Sequence, residues 1–342
     1  MRYVESLRET LHSAMSRDSR VYVIGEDILD PYGGAFKVTK GLSSAFPTRV
    51  LTTPISEAGL TGAAIGMALR GMRPVVEIMF GDFVTLAADQ IINSATKFRW
   101  MYNDQVRVPL VVRVPMGGYR GYGPTHSQSL ESIFMGVPGL LIVSPSLYHT
   151  PGDVLLTAMK QDDPVLFVEH KPLYARSLFP DEERQGWPVP HRSIVNPGGE
   201  WPTVRLSYMP DETPDVTVIA YGFAASLAAE AAADLFMEEE LLVDVLVPSC
   251  LRPVPIDDFL PSITRSRRVV IVEEGHLTGG WGAEVSSLIH ECAFHQLLAS
   301  AIRVAAKDLP IPSARTLEEQ VLPSVADIRK TIMSALSAGR SD

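Results

Sequence analysis

An α/β chain built from two parallel-sheet domains is predicted by three observations. Short β-branched runs stopped by a glycine or a turn, such as Val21-Tyr22-Val23-Ile24-Gly25, alternate with helical spacings along the whole chain. Those runs are apolar throughout rather than alternating, the pattern of strands covered on both faces. At 342 residues the chain also exceeds the usual single-domain size, and a Pro/Gly-rich stretch divides its rhythm in two.

Each element follows from its local pattern. In MRYVESLRETLHSAMSRDSR the apolar positions Tyr3/Val4, Leu7, Leu11 and Met15 recur every three to four residues, which predicts an amphipathic surface helix rather than a signal peptide. Val21–Gly25 is a buried strand. The loop over 26–37, carrying GED and YGGAFK, leads to a short helix near 43–46. Val50–Thr53 is a strand that runs into Pro54-Ile55-Ser56-Glu57. In the LTGAAIGMALRG that follows, small residues at Gly59, Gly62, Ala63, Gly66 and Ala68 predict a helix packed backbone to backbone. Each glycine costs about 0.8–1 kcal/mol of helix propensity relative to Ala, so their number asks for a packing reason. Pro74–Met79 is the next strand. A helix over 83–102 then places Leu86, Ala87, Ile91, Ala95 and Phe98 on one face. Strand Pro109–Val114 precedes the loop MGGYRGYGPTHSQ, and strands Leu140–Ser144 and Val165–Glu169 flank a helix over 151–161. These elements make a first domain over 1–177.

Residues 178–215 dissolve into Pro, Gly and polar residues and read as a linker with a short strand at 204–209. The second domain, 216–342, restarts with strand 216–220 and an Ala-rich helix over 224–239. Strand 242–246, helix 256–266, strand 269–273 and helix 281–292 follow.

Composition excludes several function classes. The chain is 46% hydrophobic and 20% charged, too apolar for disorder, and its net charge of −10 with no Lys/Arg run argues against nucleic acid or an anionic membrane as partner. No apolar stretch approaches the ~18 residues of a membrane span. Cys250 and Cys292 are the only cysteines, far apart and outside any metal spacing, so a reducing cytoplasm is the expected compartment. Neither an HExxH, a GxSxG elbow, a Walker loop nor a GxGxxG after a strand occurs.

Parallel sheets place ligands at the carboxyl ends of their strands. Glu57, Phe83 and the GYRGYGPTHSQ loop all follow strands directly. Glu57 either helps Ser56 to cap its helix or is a buried carboxylate that trades a proton with a bound cofactor. His126 is an exposed loop residue or a proton donor facing a cleft. Phe83 is core or a cofactor platform. Asp89, Gln90 and Asn93 form a solvated face or a network below a site. The turn from Glu273-Glu274-Gly275-His276 into Gly280-Trp281-Gly282 is an anion site by spacing, or a surface for subunit contacts.

Taken together, VIGED, YGGAFKVTKGL, RVLTTPISEAGLTGAAIGMALRGMRPVVEIMFGDF, DQIINSATKFRWM, GYGPTHSQSLE, PGLLIVSP, DDPVLFVEHKPLY and VEEG…GGWGAEV resemble one family. It is the β subunit of the thiamine-diphosphate-dependent decarboxylase component of 2-oxo acid dehydrogenase complexes, of the pyruvate, branched-chain and acetoin types. The likeness runs through nearly the whole chain, broken mainly over 178–215. It implies a transketolase-like pyrimidine-binding domain followed by a transketolase C-terminal domain, working in an α2β2 heterotetramer. It further implies thiamine diphosphate at the interface with the α subunit, which would hold Mg2+ through a GDG…N motif that this chain lacks.

By the same resemblance Glu57 is the acid that activates the aminopyrimidine ring and Phe83 the ring stacked upon it. His126 would stand near the substrate carboxylate and the incoming lipoyl group, with Glu26 and Asp27 lining the same cleft and Ile55 joining Glu26 among the cofactor-binding residues. Family members often bind K+ in a segment that here reads AMKQDDP, where Gln161 takes the usual acid position. Asp163 and the carbonyls of Leu110, Val112 and Ala158 are the ligands offered. The implied reaction is decarboxylation of a 2-oxo acid followed by reductive acylation of a lipoyl domain on the acyltransferase component. An acetoin-cleaving or biosynthetic acyl-transfer enzyme on the same scaffold is the alternative, as is a non-catalytic scaffold subunit.

Overall fold

A computed structural model of the chain describes residues 1–179 and 188–338, which fall into two units. The first comprises Met1–Gly117, Thr125–Val143 and Thr150–Leu178; the second takes the remainder.

In the first unit α1 (Tyr3–Arg17) buries Tyr3, Leu7, Leu11, Ala14 and Met15 on one face, as the spacing predicts. It is followed by β1 (Val21–Gly25), α2 (Leu42–Ala45), β2 (Val50–Thr52), α3 (Glu57–Leu69) and β3 (Arg73–Glu77). Then come α4 (Phe98–Met101), β4 (Val111–Met116), β5 (Leu141–Val143), α5 (Pro151–Lys160) and β6 (Val165–His170). The strands run in the order β5-β6-β4-β3-β1-β2, every pairing parallel. All six residues of β4 and of β6 are buried, as central strands covered on both faces require. Helix α5 lies against α1 through Gly152, whose N–H donates to Ser6 Oγ at 3.0 Å. A Cβ there would stand 2.6 Å from the Ser6 carbonyl oxygen, so only glycine permits this approach.

The loop between β1 and α2 is organised by Asp30. Its carboxylate accepts the backbone N–H groups of Gly41 and Ser44 and both serine hydroxyls, Ser43 and Ser44. These bonds hold its pKa well below the ordinary carboxylate range.

One long helix over 83–102 is not what forms. The segment breaks into a 3-10 stretch at Gly81–Ala87, a π-helical turn at Gln90–Ala95 and the single turn α4. Side-chain hydroxyls compete for the ladder here: Thr85 donates to the Asp82 carbonyl at 3.0 Å and Thr96 to that of Ile92 at 2.8 Å. The change of pitch turns Leu86 outward, 59% exposed, while Ala87, Ile91 and Ala95 stay buried. Asp89 and Asn93 are exposed and bond to each other at 2.8 Å, the solvated face.

The second unit contains β7 (His191–Ile194), β8 (Thr203–Ser207), β9 (Val216–Ala220), α6 (Ala224–Glu239), β10 (Val243–Pro248) and β11 (Cys250–Arg252). Next are α7 (Ile256–Ser266), β12 (Val269–His276), α8 (Trp281–Ala293), β13 (Ile302–Ala306), α9 (Arg315–Val321) and α10 (Val325–Ser337). Its sheet order is β13-β12-β9-β10-β8-β7, parallel through β10 and antiparallel across β8 and β7. The stretch expected to be a linker therefore carries two strands of this sheet, while 180–187 lie outside the described residues. The strand expected at 204–209 is β8, whereas β7, which pairs with β8, is four residues among prolines and too short to show a period. The alanines of α6 (Ala225, Ala228, Ala231, Ala232) let it sit close over Val216, Val218 and Val245, with Ile328 and Ile332 of α10 closing the core.

His149 is buried in this unit and accepts the Ser146 N–H at Nδ1, 3.0 Å away. Burial pushes it down from 6.5 to about 4. The unfolded chain therefore binds this proton more readily, so the neutral ring stabilises the fold above pH 6.5. That contribution, about 3 kcal/mol in full, is lost as the pH falls from 6.5 through about 4. We expect His149→Asn to flatten the acid side of the stability curve in urea unfolding between about pH 4.5 and about pH 7.5. Parallel curves for the two proteins would refute this.

Candidate active site

Strands β4, β3, β1 and β2 are neighbours, and each hands its chain to a predicted site residue at its carboxyl end. Glu26 follows β1 and Glu57 opens α3 after β2. Phe83 lies in the turn after β3, and His126 in the loop after β4. The topology thus gathers four residues from four separate stretches at one edge of the sheet.

The capping question at α3 is decided by Ser56, whose Oγ accepts the Gly59 N–H at 3.3 Å. Glu57 is left out of the cap. It is only 4% exposed, yet among the described residues its carboxylate makes no hydrogen bond or ion pair. Glu26, equally buried, accepts the Ser56 N–H at 3.0 Å. Burial holds the Glu26 carboxyl above its ordinary range; the Ser56 N–H opposes this, and the charges of Glu57 and Asp27 push it further up. Two shielded acids therefore sense one another across the Ser56 turn. Ile55, by contrast, stands 78% exposed beside them.

Phe83 and His126 meet directly. Their ring centroids are 5.2 Å apart at 83°, and Phe80 lies 4.8 Å from the same imidazole at 81°. Thr125 Oγ1 is 3.0 Å from His126 Nδ1. The same turn also holds the loop through Asp82, whose Oδ1 accepts the Gln128 backbone N–H at 3.2 Å and its side-chain amide at 2.8 Å. Asp82 Oδ2 is fully buried and has no partner among the described residues.

Within the same sheet sits a charge cluster that the sequence reading missed. Arg113 forks onto Glu169, with Nε to Oε1 at 2.6 Å and Nη2 to Oε2 at 2.8 Å. Its Nη1 reaches Glu77 Oε2 at 2.6 Å. The Tyr174 hydroxyl adds a 2.6 Å bond to Glu169. Burial raises the Glu77 pKa, and the Arg113 charge opposes that rise. The signal was present: PVVEIM, PLVVRV and VLFVEH each carry one charge inside an apolar run, and charges so placed need each other.

The residues offered as K+ ligands make contacts of their own. Asp163 Oδ2 is held by Arg99 at 2.7 Å, the Leu110 carbonyl accepts the Val165 N–H at 2.8 Å, and the Ala158 carbonyl accepts that of Gln161 at 3.2 Å. Arg73 lies on the carbonyls of Met159 and Gln161, each at 3.0 Å. The start of α8 is not an open anion site, because Glu273 Oε1 accepts the Gly282 N–H at 3.0 Å. Gly118 and Gly121 donate their N–H groups to Glu274 and Glu318 in the second unit, which makes the glycine loop a holder of acids rather than of phosphate.

Two domain families match the chain in order: the transketolase pyrimidine binding domain over residues 1–176 and the transketolase C-terminal domain over 208–328. The β subunit of the pyruvate dehydrogenase E1 component of Rickettsia felis is 34% identical over 329 residues, 96% of each chain. The chain belongs to the family of transketolase-like E1 β subunits. Another relative, the acetoin:2,6-dichlorophenolindophenol oxidoreductase subunit beta of Cupriavidus necator, is 34% identical over 345 residues, covering 98% of this chain and 97% of its own. The mitochondrial pyruvate dehydrogenase E1 component subunit beta-2 of Oryza sativa subsp. japonica is 37% identical over 325 residues, 95% of this chain and 83% of its own. Among solved structures, a split-gene transketolase described as an inactive beta4 tetramer matches with a TM-score of 0.74 at 19% identity, covering 99% of both chains. At that identity the likeness speaks for the fold alone. No helix among the described residues is long and apolar enough to cross a membrane.

Proposed function

We propose that the chain is the β subunit of a thiamine-diphosphate-dependent 2-oxo acid dehydrogenase. The observation that carries this is Glu57: 4% exposed, excluded from its helix cap, and without a bonding partner among the described residues. A carboxylate set at the carboxyl ends of the strands with no protein partner among the described residues is free to take a ligand's hydrogen bond.

The residues fit that cofactor. Glu57 would take the pyrimidine ring nitrogen, where the low dielectric of its surroundings strengthens a single hydrogen bond. Phe83, half-buried, offers a ring for stacking. Glu26 anchors the Ser56 turn, keeping the two acids at a set separation. When bound, thiamine diphosphate supplies the carbon nucleophile and electron sink that loss of CO2 from a 2-oxo acid requires. His126, flanked by Phe80 and Phe83, would hold a proton for the substrate carboxylate and for the acceptor thiol.

An α subunit would contribute the Mg2+-diphosphate half in an α2β2 assembly, and a lipoyl acyltransferase would take the acyl group. Acetoin as substrate is a second reading, favoured by the Cupriavidus necator relative. The test is reconstitution with an α chain that binds Mg2+-diphosphate. Dye reduction is then followed with pyruvate, branched 2-oxo acids and acetoin. An assembled complex that binds thiamine diphosphate and turns over one of these supports the reading. Assembly without cofactor binding, or without turnover of any of them, overturns it.

A further inference from the structure

We propose that Phe80 is a positioning residue for His126, its ring setting the direction of the imidazole where, among the described residues, no carboxylate does so. The proposal rests on the catalytic reading of His126 given above. Phe80 and Phe83 are three residues apart at the start of the Gly81–Ala87 turn, and the Phe83 N–H donates to the Phe80 carbonyl at 3.0 Å. Phe80 caps that turn in extended conformation, and the two ring centroids are 6.3 Å apart at 79°. His126 lies against both rings, nearly perpendicular to each.

A histidine used in proton transfer is commonly oriented by an acid on its second nitrogen. Here the polar hold among the described residues is Thr125 Oγ1, from the adjacent residue. Edge-to-face packing between the two rings therefore does what an acid would do elsewhere. Phe80 is itself fixed from behind. Phe36 packs on it at 5.6 Å and 76°, and stacks on Tyr174 at 4.9 Å and 14°. Tyr174 is bonded to Glu169 of the Arg113 cluster. Lys171 Nζ lies 5.7 Å from the Phe80 centroid, so this position also takes a cation that an aliphatic residue could not. A buried ion cluster thus sets one ring, and that ring sets the next, out to the imidazole.

The test uses the full chain with carbon-13 at the Cε1 of its histidines, alone and assembled with α. The His126 signal is identified by its loss in His126→Asn. Phe80→Leu is expected to move this signal, because a ring current is removed, whereas Phe80→Tyr keeps it near the wild-type position. In the assembled enzyme Phe80→Leu is expected to slow lipoyl acylation on the order of 100-fold, the usual effect of an ångström-scale misplacement, with KM little changed and Phe80→Tyr largely rescued. In a His126→Ala background the same substitution should add less than about twofold, since two residues acting as a unit are not additive. An unmoved signal in Phe80→Leu, or fully multiplicative losses in the double variant, overturns the proposal. Should His126→Ala leave acylation intact, the catalytic reading of His126 falls, and the signal alone then judges the positioning.

Discussion

Glu57→Gln is expected to lower turnover of the reconstituted enzyme by about 100- to 10,000-fold, the range typical of losing a positioned proton carrier. The substitution is close to isosteric. It keeps a hydrogen-bonding group at the start of α3, but an amide cannot give up and regain the proton the cofactor needs. Stability should hardly change, because the cap belongs to Ser56 and the carboxylate has no partner to lose among the described residues. Assembly with α and the affinity for thiamine diphosphate should likewise persist, measured by sedimentation and calorimetry. Glu26→Gln is the informative contrast: its amide oxygen can still accept the Ser56 N–H, so a smaller loss is expected. More than about a tenth of wild-type activity remaining in Glu57→Gln would end the assigned role, since a factor of ten corresponds to only about 1.4 kcal/mol of barrier.

The largest stability effect is expected at Arg113. Its guanidinium, 1% exposed, is the shared counterion of Glu77 and Glu169. Arg113→Met keeps most of the side-chain volume but leaves two carboxylates in a dry interior. Removing one partner of a buried pair costs about 3–5 kcal/mol, a large part of the roughly 5–15 kcal/mol that holds a protein of this kind together. The pH dependence gives the sign. Burial already raises Glu77 against the lowering charge of Arg113, so its loss raises the acid further. A raised carboxyl favours the fold when protonated, and that benefit fades as the pH climbs through its folded value. The deficit of Arg113→Met should therefore shrink between about pH 7.5 and about pH 5 in urea titrations. A deficit below about 1 kcal/mol at the upper pH, or a larger one at the lower, would contradict the account.

Much of the site could be read along the chain because each of its members follows a strand signal that is local. VYVIG announces the end of β1 and hence Glu26, VLT the end of β2 and hence Glu57, and PVVEIM the turn bearing Phe83. The break of the 83–102 segment was hidden, since its apolar spacing suits several helical pitches and only the hydroxyls of Thr85 and Thr96 choose between them. Strand β7 was hidden for a different reason: four residues between prolines carry too short a period, and its partner is β8, the strand that was expected at 204–209.

By itself the sequence determined which residues end strands, that the sheets would be buried on both faces, and that Glu57 would stand alone among small apolar neighbours. Only the tertiary structure decided what each of them touches. Arg113 meets Glu169 across 56 residues and Glu77 across 36, and Phe80 meets both Phe36 and His126. The periodicity of a strand is legible over a handful of residues, whereas its neighbours depend on the order in which the sheet assembles. Side chains on adjacent strands are brought within bonding distance by that order and by nothing local in the chain.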